Sequence, residues 1–158
     1  MPDIVVCEFM DEAAVDSLCH GFDVLYDPAL VDRPGELIDA LLEARGLIVR
    51  NRTQVREPLL VAAPRLKVVG RLGVGLDNID VEACRSRGID VFPATGANDL
   101  SVAEYVVTAS LVLLRGAWLS TGDMLAGLWP RGRLMGRELS GRSMGLVGFR
   151  SIAREVAA

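Results

Sequence analysis

Short apolar runs rich in β-branched residues alternate with amphipathic stretches along the first part of the chain. Such runs are typical of buried parallel strands, and the amphipathic spacing is typical of helices. The pattern predicts five strands, at residues 4–6, 22–25, 47–49, 67–70 and 89–92. It predicts helices between them, at residues 11–18, 34–44, 56–63 and 79–87. This alternation predicts an α/β fold with a doubly wound, parallel, five-stranded sheet.

Polar residues mark the starts of several predicted helices. Asp11 is suited to cap the first helix, and either Asp77 or Asn78 is suited to cap the helix near residue 79. Farther along, Ser101 and Glu104 have the spacing of a capping box, which predicts a helix start at Ser101. That last helix is apolar almost all round, so we expect it to be buried by its own chain or by a partner.

Composition and charge exclude several classes of protein. The chain has 158 residues, 51% of them hydrophobic, a net charge of −4 and a pI near 5.0. The acidic balance argues against nucleic acid as the main partner. The chain contains no long uncharged apolar run of the kind that would predict a membrane span. Its N-terminal residues do not resemble a signal peptide.

The cysteines and the histidine suggest no metal site. Cys7, Cys19 and Cys84 are scattered without metal-ligand spacing, which favours a reducing cytoplasm. His20 is the only histidine, and we interpret it as a bystander late in the first helix.

The densest cluster of glycines lies between the fourth strand and the following helix. Gly70, Gly73 and Gly75 fall within six residues, and Arg71 adds a permanent cation. A strand that turns into a helix presents free N–H groups to an anion, so this turn predicts a site for a small carboxylate or phosphate. The alternative is a tight turn with no ligand.

A second cationic loop follows the third strand. Arg50, Asn51 and Arg52 lie there, and the carboxyl ends of neighbouring parallel strands share one edge of a sheet. We therefore expect this loop and the Arg71 turn to converge on one anion. The alternative is that Arg50 and Arg52 are ordinary solvent-exposed arginines.

A weaker motif lies near the end of the chain. Residues 144–147 predict a strand, and Gly148, Arg150 and Ala153 occupy the places of the dinucleotide pattern G-x-G-x-x-G/A. The match is imperfect because Arg150 stands where glycine normally lets the backbone approach the pyrophosphate.

Three stretches resemble one known family: VVGRLGVGLDNID, PATGANDLSVAEYVV and LSGRSMGLVGFRSIAREVA. Together they resemble the D-2-hydroxyacid dehydrogenases, and most of all the 3-phosphoglycerate dehydrogenase-like branch, with sulfolactate dehydrogenases as a subgroup. The resemblance implies a flavodoxin-like substrate-binding (catalytic) domain over residues 1–97. It implies the start of a Rossmann-type NAD-binding domain over residues 98–158, whose long helix from Ser101 and following arm build a homodimer interface.

The family also implies a reaction and roles for particular residues. The reaction is hydride transfer between NAD and the CH–OH group of a small 2-hydroxy acid, with the 2-oxo acid as its oxidised form. The acid would be bound by the Arg50–Asn51 loop and by the N–H groups of Val74 and Gly75. The cofactor would be bound at Asn98, near the nicotinamide, and by the pyrophosphate turn at Gly148, Arg150, Ser151 and Ile152.

The departures from the family lead to further expectations. The resemblance covers about the first half of a family member, and the family's arginine, glutamate and histidine that assist hydride transfer have no counterpart here. We therefore expect a truncated chain with weak or absent NAD binding, no turnover alone, and partner-dependent structure beyond about residue 128. The alternative is a non-catalytic module that binds a small anion or dimerises.

Overall fold

The computed structural model describes all residues from 1 to 158, in two compact units, Met1–Ala97 and Asn98–Ala158. The first unit holds one five-stranded sheet whose strands all run parallel. The strands are β1 (Ile4–Val6), β2 (Val24–Tyr26), β3 (Gly46–Val49), β4 (Val68–Arg71) and β5 (Asp90–Pro93). The helices between them are α1 (Glu12–Cys19), α2 (Pro34–Leu41), α3 (Glu57–Ala62) and α4 (Val81–Ser86).

The order of the strands across the sheet is β2-β1-β3-β4-β5, which is the flavodoxin-like order. This confirms the predicted α/β class with a doubly wound parallel sheet. Its three central strands are in register through Val5, Leu47 and Val69, all of them fully buried. Leu41 of α2 and Leu60 of α3 belong to the same core. The apolar strand runs are therefore the middle layer of this core.

One of the two predicted helix caps in this unit is correct. Asp11 caps α1, and its Oδ1 accepts a hydrogen bond from the N–H of Ala14 at 3.3 Å. The cap expected from Asp77 or Asn78 is wrong, because α4 is capped by Asp80, whose Oδ1 accepts from the N–H of Ala83 at 2.9 Å. The helix begins later than predicted because Ile79 is still extended and pairs with Val55 in an isolated parallel bridge.

The second unit contains α5 (Asp99–Arg115), α6 (Thr121–Leu125) and α7 (Ser151–Ala157). The start predicted at Ser101 is wrong, because the N–H of Val102 already bonds to the carbonyl of Asn98 at 3.0 Å. This places Ser101 inside the first turn of α5 rather than at its cap. Gly116 ends the helix in the left-handed conformation, with φ 64°.

The structure excludes one alternative for α5 and contradicts the strand expected near the end of the chain. Only Ala103 of α5 is buried, so its own chain does not bury the apolar helix, and burial by a partner remains a prediction. Residues 144–147 form no strand, because all five strands of the sheet come from the first unit and these residues have no neighbouring strand to pair with. An apolar run alone does not make a strand without such a partner.

No single helix is long and apolar enough to cross a membrane. Taken together, α5 and the stretch Ala117–Leu125, which are bent by 55° from each other, reach that length and apolar composition.

We predict that Leu47→Ala lowers the free energy of unfolding of the first unit by about 2–5 kcal/mol, because it opens a cavity in the central strand of the sheet. Leu42→Ala is the matched control, since Leu42 is 42% exposed and its truncation leaves no closed cavity. Urea unfolding followed by circular dichroism measures both. Equal losses in the two variants would contradict the placement of Leu47 at the centre of the core.

Candidate functional site

Two loops meet at the carboxyl edge of the sheet, one after β3 and one after β4. The register pairs Val49 with Arg71, and the N–H of Leu72 donates to the carbonyl of Val49 at 2.9 Å. Buried Asn78 joins the loops again, because its Nδ2 donates to the carbonyl of Thr53 at 2.8 Å. The structure therefore brings residues 50–53 and 71–75 together, at the edge where ligands of such sheets bind.

The loop after β4 keeps two backbone N–H groups free. The N–H of Gly73 turns back to the carbonyl of Arg71 at 2.8 Å, and the N–H of Ala94 bonds to the carbonyl of Gly73 at 3.1 Å. The next two N–H groups, of Val74 and Gly75, donate to no group of the chain. The loop is thus fastened on one side and offers two adjacent donors on the other.

The guanidinium of Arg71 lies against this glycine loop. A Cβ on Gly73 would overlap Nη1 of Arg71, and a Cβ on Gly75 would lie 4.0 Å from its Nη2. Arg71 has no carboxylate partner, and its buried Nε donates to no group. Buried donors are nearly always paired, so an unpaired guanidinium beside two free N–H groups is an arrangement suited to a carboxylate.

The loop after β3 is arranged differently, because the chain supplies its own anion there. Glu8 is only 4% exposed, and its carboxylate accepts four backbone hydrogen bonds from this loop. The N–H groups of Arg50, Asn51, Arg52 and Thr53 donate to it at 2.9, 3.2, 3.1 and 3.0 Å. Those four donors are therefore not available to a ligand.

These hydrogen bonds determine the ionisation of Glu8. Burial by itself raises the pKa of the Glu8 carboxyl. The hydrogen bonds from the N–H groups of Thr53, Arg50 and Arg52 together lower it by more than burial raises it, so the pKa lies below its ordinary value of 4.5. Next to it, burial raises the pKa of the Cys7 thiol to about 11, so this thiol stays neutral. Glu8 is thus a fixed negative charge beneath the loop.

The side chains of the same loop differ in their availability. Arg52 is bound by Asp32 in an ion pair, which raises the pKa of its guanidinium. The guanidinium of Arg50 has no carboxylate partner and lies over the ring of Phe9, with its Cζ 5.9 Å from the ring centroid. Asn51 is exposed, and its side chain makes no hydrogen bond. Of the three predicted residues, only Arg50 presents an unpaired charge.

Sequence reasoning missed Glu8, although it contributes most to the order of this edge. Its partners lie 42 to 45 residues away along the chain, and no local pattern links them. One signal was present: a lone carboxylate follows the apolar run from Ile4 to Cys7, at the edge where ligands bind. Residues 50–53, unlike the loop after β4, contain no glycine.

The residues predicted for the cofactor lie in the second unit. Asn98 precedes α5 and makes no side-chain cap, while Gly148 has φ 91° and Arg150 precedes α7. The backbone N–H groups of Ser151 and Ile152 make no hydrogen bonds within the chain. No strand leads into this turn, and the side chain of Arg150 stands where a pyrophosphate needs glycine. As they stand, these residues do not fit a dinucleotide.

The opposite edge of the sheet has a polar cavity, but the arginines that line it are paired with carboxylates, unlike Arg71. The cavity has a volume of about 530 Å³, and two ion pairs line it, Arg45 with Asp3 and Arg65 with Glu43. His20 follows the last turn of α1, where its Nδ1 lies 2.8 Å from the carbonyl of Asp16. Because helices run back antiparallel to the strands, this places His20 toward the amino edge, away from Arg71.

The comparisons with known proteins agree with this architecture. The profile of the D-isomer specific 2-hydroxyacid dehydrogenase catalytic domain matches residues 4–156. The chain belongs to this family. A dehydrogenase of the family, the (S)-sulfolactate dehydrogenase of Chromohalobacter salexigens, is 55% identical over 157 residues, which are 99% of this chain and 51% of that protein.

Two other similar proteins are less identical to this chain. The D-3-phosphoglycerate dehydrogenase of Rattus norvegicus is 42% identical over 123 residues, covering 78% of this chain and 23% of that protein. A crystal structure from Thermus thermophilus has a TM-score of 0.87 at 28% identity and covers 98% of this chain and 51% of that one. The chain thus spans about half the length, or less, of these relatives.

We predict that Glu8 makes stability depend on pH in the acid range. Its folded pKa is lowered, so its stabilisation is fully present above the unfolded pKa and is lost as pH falls through the folded pKa, that is, below about 4.5. Glu8→Gln should lower the free energy of unfolding by about 2 kcal/mol at pH 7 and by less at pH 3.5, because a neutral amide binds the N–H groups more weakly.

Urea unfolding at pH 7 and pH 3.5 measures how far the difference in free energy of unfolding between wild type and Glu8→Gln shrinks at the lower pH. Glu12→Gln is the control, because Glu12 is exposed and makes no side-chain hydrogen bond or ion pair. The free energy of unfolding of this control should depend on pH as that of wild type does. Asp3 and Asp27 contribute to this dependence in both proteins, since the pKa of each is lowered, mainly by a hydrogen bond from a backbone N–H. A constant difference between wild type and Glu8→Gln at both pH values would contradict the assignment.

Proposed function

We propose that this chain binds a small 2-hydroxy or 2-oxo acid at the carboxyl edge of its sheet, as the acid-binding part of an NAD-dependent oxidoreductase. One observation carries the proposal. The free N–H groups of Val74 and Gly75 lie beside the guanidinium of Arg71, which has no partner in the chain. Two adjacent N–H groups and a planar guanidinium match the two oxygens of a carboxylate.

Arg50 adds a second charge to this edge. It follows β3 as Arg71 ends β4, and it has no carboxylate partner. An acid that carries another anionic group beyond its carboxylate would satisfy both cations. Sulfolactate, named for the 55% identical relative, is such an acid, since it carries a sulfonate as well as a carboxylate. We therefore propose a dianionic 2-hydroxy acid as the substrate class, with Arg50 at the second group and Asn51 beside it.

The chemistry of the reaction divides between the cofactor and the protein. The family's NAD would supply the hydride chemistry, but the turn at residues 148–152 does not fit it. The residues at this edge would bind and orient the acid, and they include no histidine, since His20 follows α1 toward the amino edge. This favours the second candidate, a module that binds the acid without turning it over, for the 158 residues acting alone.

We also propose a homodimer through α5 and the arm that follows it, with the cytoplasm as its compartment. Four side chains of this region are more than three-quarters exposed despite being large and apolar: Leu113, Leu119, Leu125 and Trp129. Uncovered apolar surface of this extent is typical of an interface between protein chains. The free thiols of Cys7, Cys19 and Cys84 support a reducing compartment.

We predict that Arg71→Met weakens binding of sulfolactate about 10- to 100-fold, because a charge-assisted pair contributes roughly 1.5–3 kcal/mol. Gly73→Ala should have an effect of similar size, because its Cβ would displace the guanidinium from the loop. Isothermal titration calorimetry on the 158-residue chain measures both affinities. Arg85→Met is the control, since Arg85 on α4 pairs only with exposed Glu82. No binding by wild type, or unchanged binding by Arg71→Met, would contradict the proposal.

We predict that Leu113→Glu converts the dimer into a monomer, because it places a charge within the apolar surface of α5. Sedimentation velocity at several concentrations measures the state of association. Leu42→Glu is the control in the first unit, where the side chain is 42% exposed, and it should remain a dimer. A wild-type chain that sediments as a monomer throughout would argue against the proposed interface.

A further inference from the structure

The residues that follow β1 hold Arg50 at two points. β1 and β3 are neighbours, with Val6 in register with Ile48, so Glu8 and Phe9 lie beside the loop that begins at Arg50. Glu8 binds the backbone N–H of Arg50 at 2.9 Å, and the ring of Phe9 lies under its guanidinium at 5.9 Å. One dipeptide therefore contacts both the main chain and the charged group of the same arginine.

The contact with Glu8 determines the path of the loop. Four successive N–H groups point at one buried carboxylate, and this is possible only when the backbone from Arg50 to Thr53 curls around it. Hydrogen bonds to an ionised acceptor are about twice as strong as neutral ones. Without this anion, the four N–H groups would lose their shared acceptor, and the loop would have to rearrange to hydrate them.

The contact with Phe9 holds the side chain. The ring is 64% exposed, so it contributes little to the core, and its face is left for the guanidinium. A cation over an aromatic face is attracted by the ring quadrupole and loses part of its rotamer freedom before any ligand arrives. The guanidinium N–H groups of Arg50 make no hydrogen bond or ion pair within the chain, so they are available to a ligand.

We propose that Glu8 and Phe9 are positioning residues, which fix Arg50 so that its guanidinium recognises the second anionic group of the acid. The proposal deepens the proposed function and rests on it for the identity of the ligand. It assigns selectivity for dianionic over monoanionic acids to residues that do not touch the acid. The Val74–Gly75 loop then binds the carboxylate that both kinds of acid share.

The first experiment tests the internal anion without any substrate. Glu8→Ala should lower the melting temperature by roughly 5–10 °C, and acetate should restore part of that loss in a saturable way, because its carboxylate takes the vacated place. Sodium chloride at equal ionic strength should not restore it. Glu12→Ala should respond to neither salt. If Glu8→Ala folds only when acetate is present, that also supports the proposal.

The second experiment tests selectivity by calorimetry with lactate and sulfolactate. Arg50→Met should weaken sulfolactate binding about 10-fold or more and leave lactate nearly unchanged. Phe9→Leu should weaken sulfolactate about two- to fivefold. Glu8→Gln should lower the ratio of the association constant for sulfolactate to that for lactate. Added to Arg50→Met, it should lower this ratio no further. Glu8→Asp should recover part of the ratio.

The outcomes separate this inference from the proposed function. If wild type binds neither acid, the proposed function fails, while the acetate experiment still decides whether Glu8 orders the loop. If wild type binds both acids and Glu8→Gln weakens both equally, Glu8 has only a structural role and the inference is overturned. An absence of acetate rescue in a folded Glu8→Ala variant would overturn it as well.

Discussion

The order of the carboxyl edge depends on the carboxylate of Glu8. It is nearly inaccessible to solvent, yet it remains ionised because four backbone N–H groups of one loop point at it. A buried charge without partners would be strongly unfavourable, and without it the four N–H groups would lose their shared acceptor. Each satisfies the other, so the loop after β3 has essentially one arrangement. Through Asn78, which bonds to Thr53, that arrangement extends to the segment following the glycine loop.

The sheet and its core were accessible from the sequence because their signals are local. Three- and four-residue apolar runs gave the positions of the five strands, and the cap at Asp11 lies beside the helix that it starts. The strand boundaries differ from prediction by one or two residues, as at β2, which lies at Val24–Tyr26 rather than 22–25. Parallel order and right-handed crossovers then restrict the topology, whatever the exact boundaries.

The rest could not be predicted because it depends on contacts between distant residues. The pairing of Arg52 with Asp32 spans 20 residues and removes one expected ligand-binding cation. The bridge between Val55 and Ile79 delays α4 and moves its cap to Asp80. In both cases a local preference of modest size yielded to tertiary structure. The start predicted at Ser101 failed for a local reason instead, because helical hydrogen bonding already begins at Asn98.

The two loops at the edge illustrate a general difference between sites that offer main chain and sites that offer side chains. A loop that keeps its N–H groups for a ligand needs a backbone that an anion can approach closely, and Gly73 and Gly75 provide it. A loop whose N–H groups are already bound internally gains nothing from glycine, and residues 50–53 have none. Its contribution has to come from side chains. Under the proposed function, the presence of glycine in one cationic loop and its absence from the next therefore distinguish the loop that would bind a carboxylate through its backbone from the loop that would select the remainder of the molecule through an arginine.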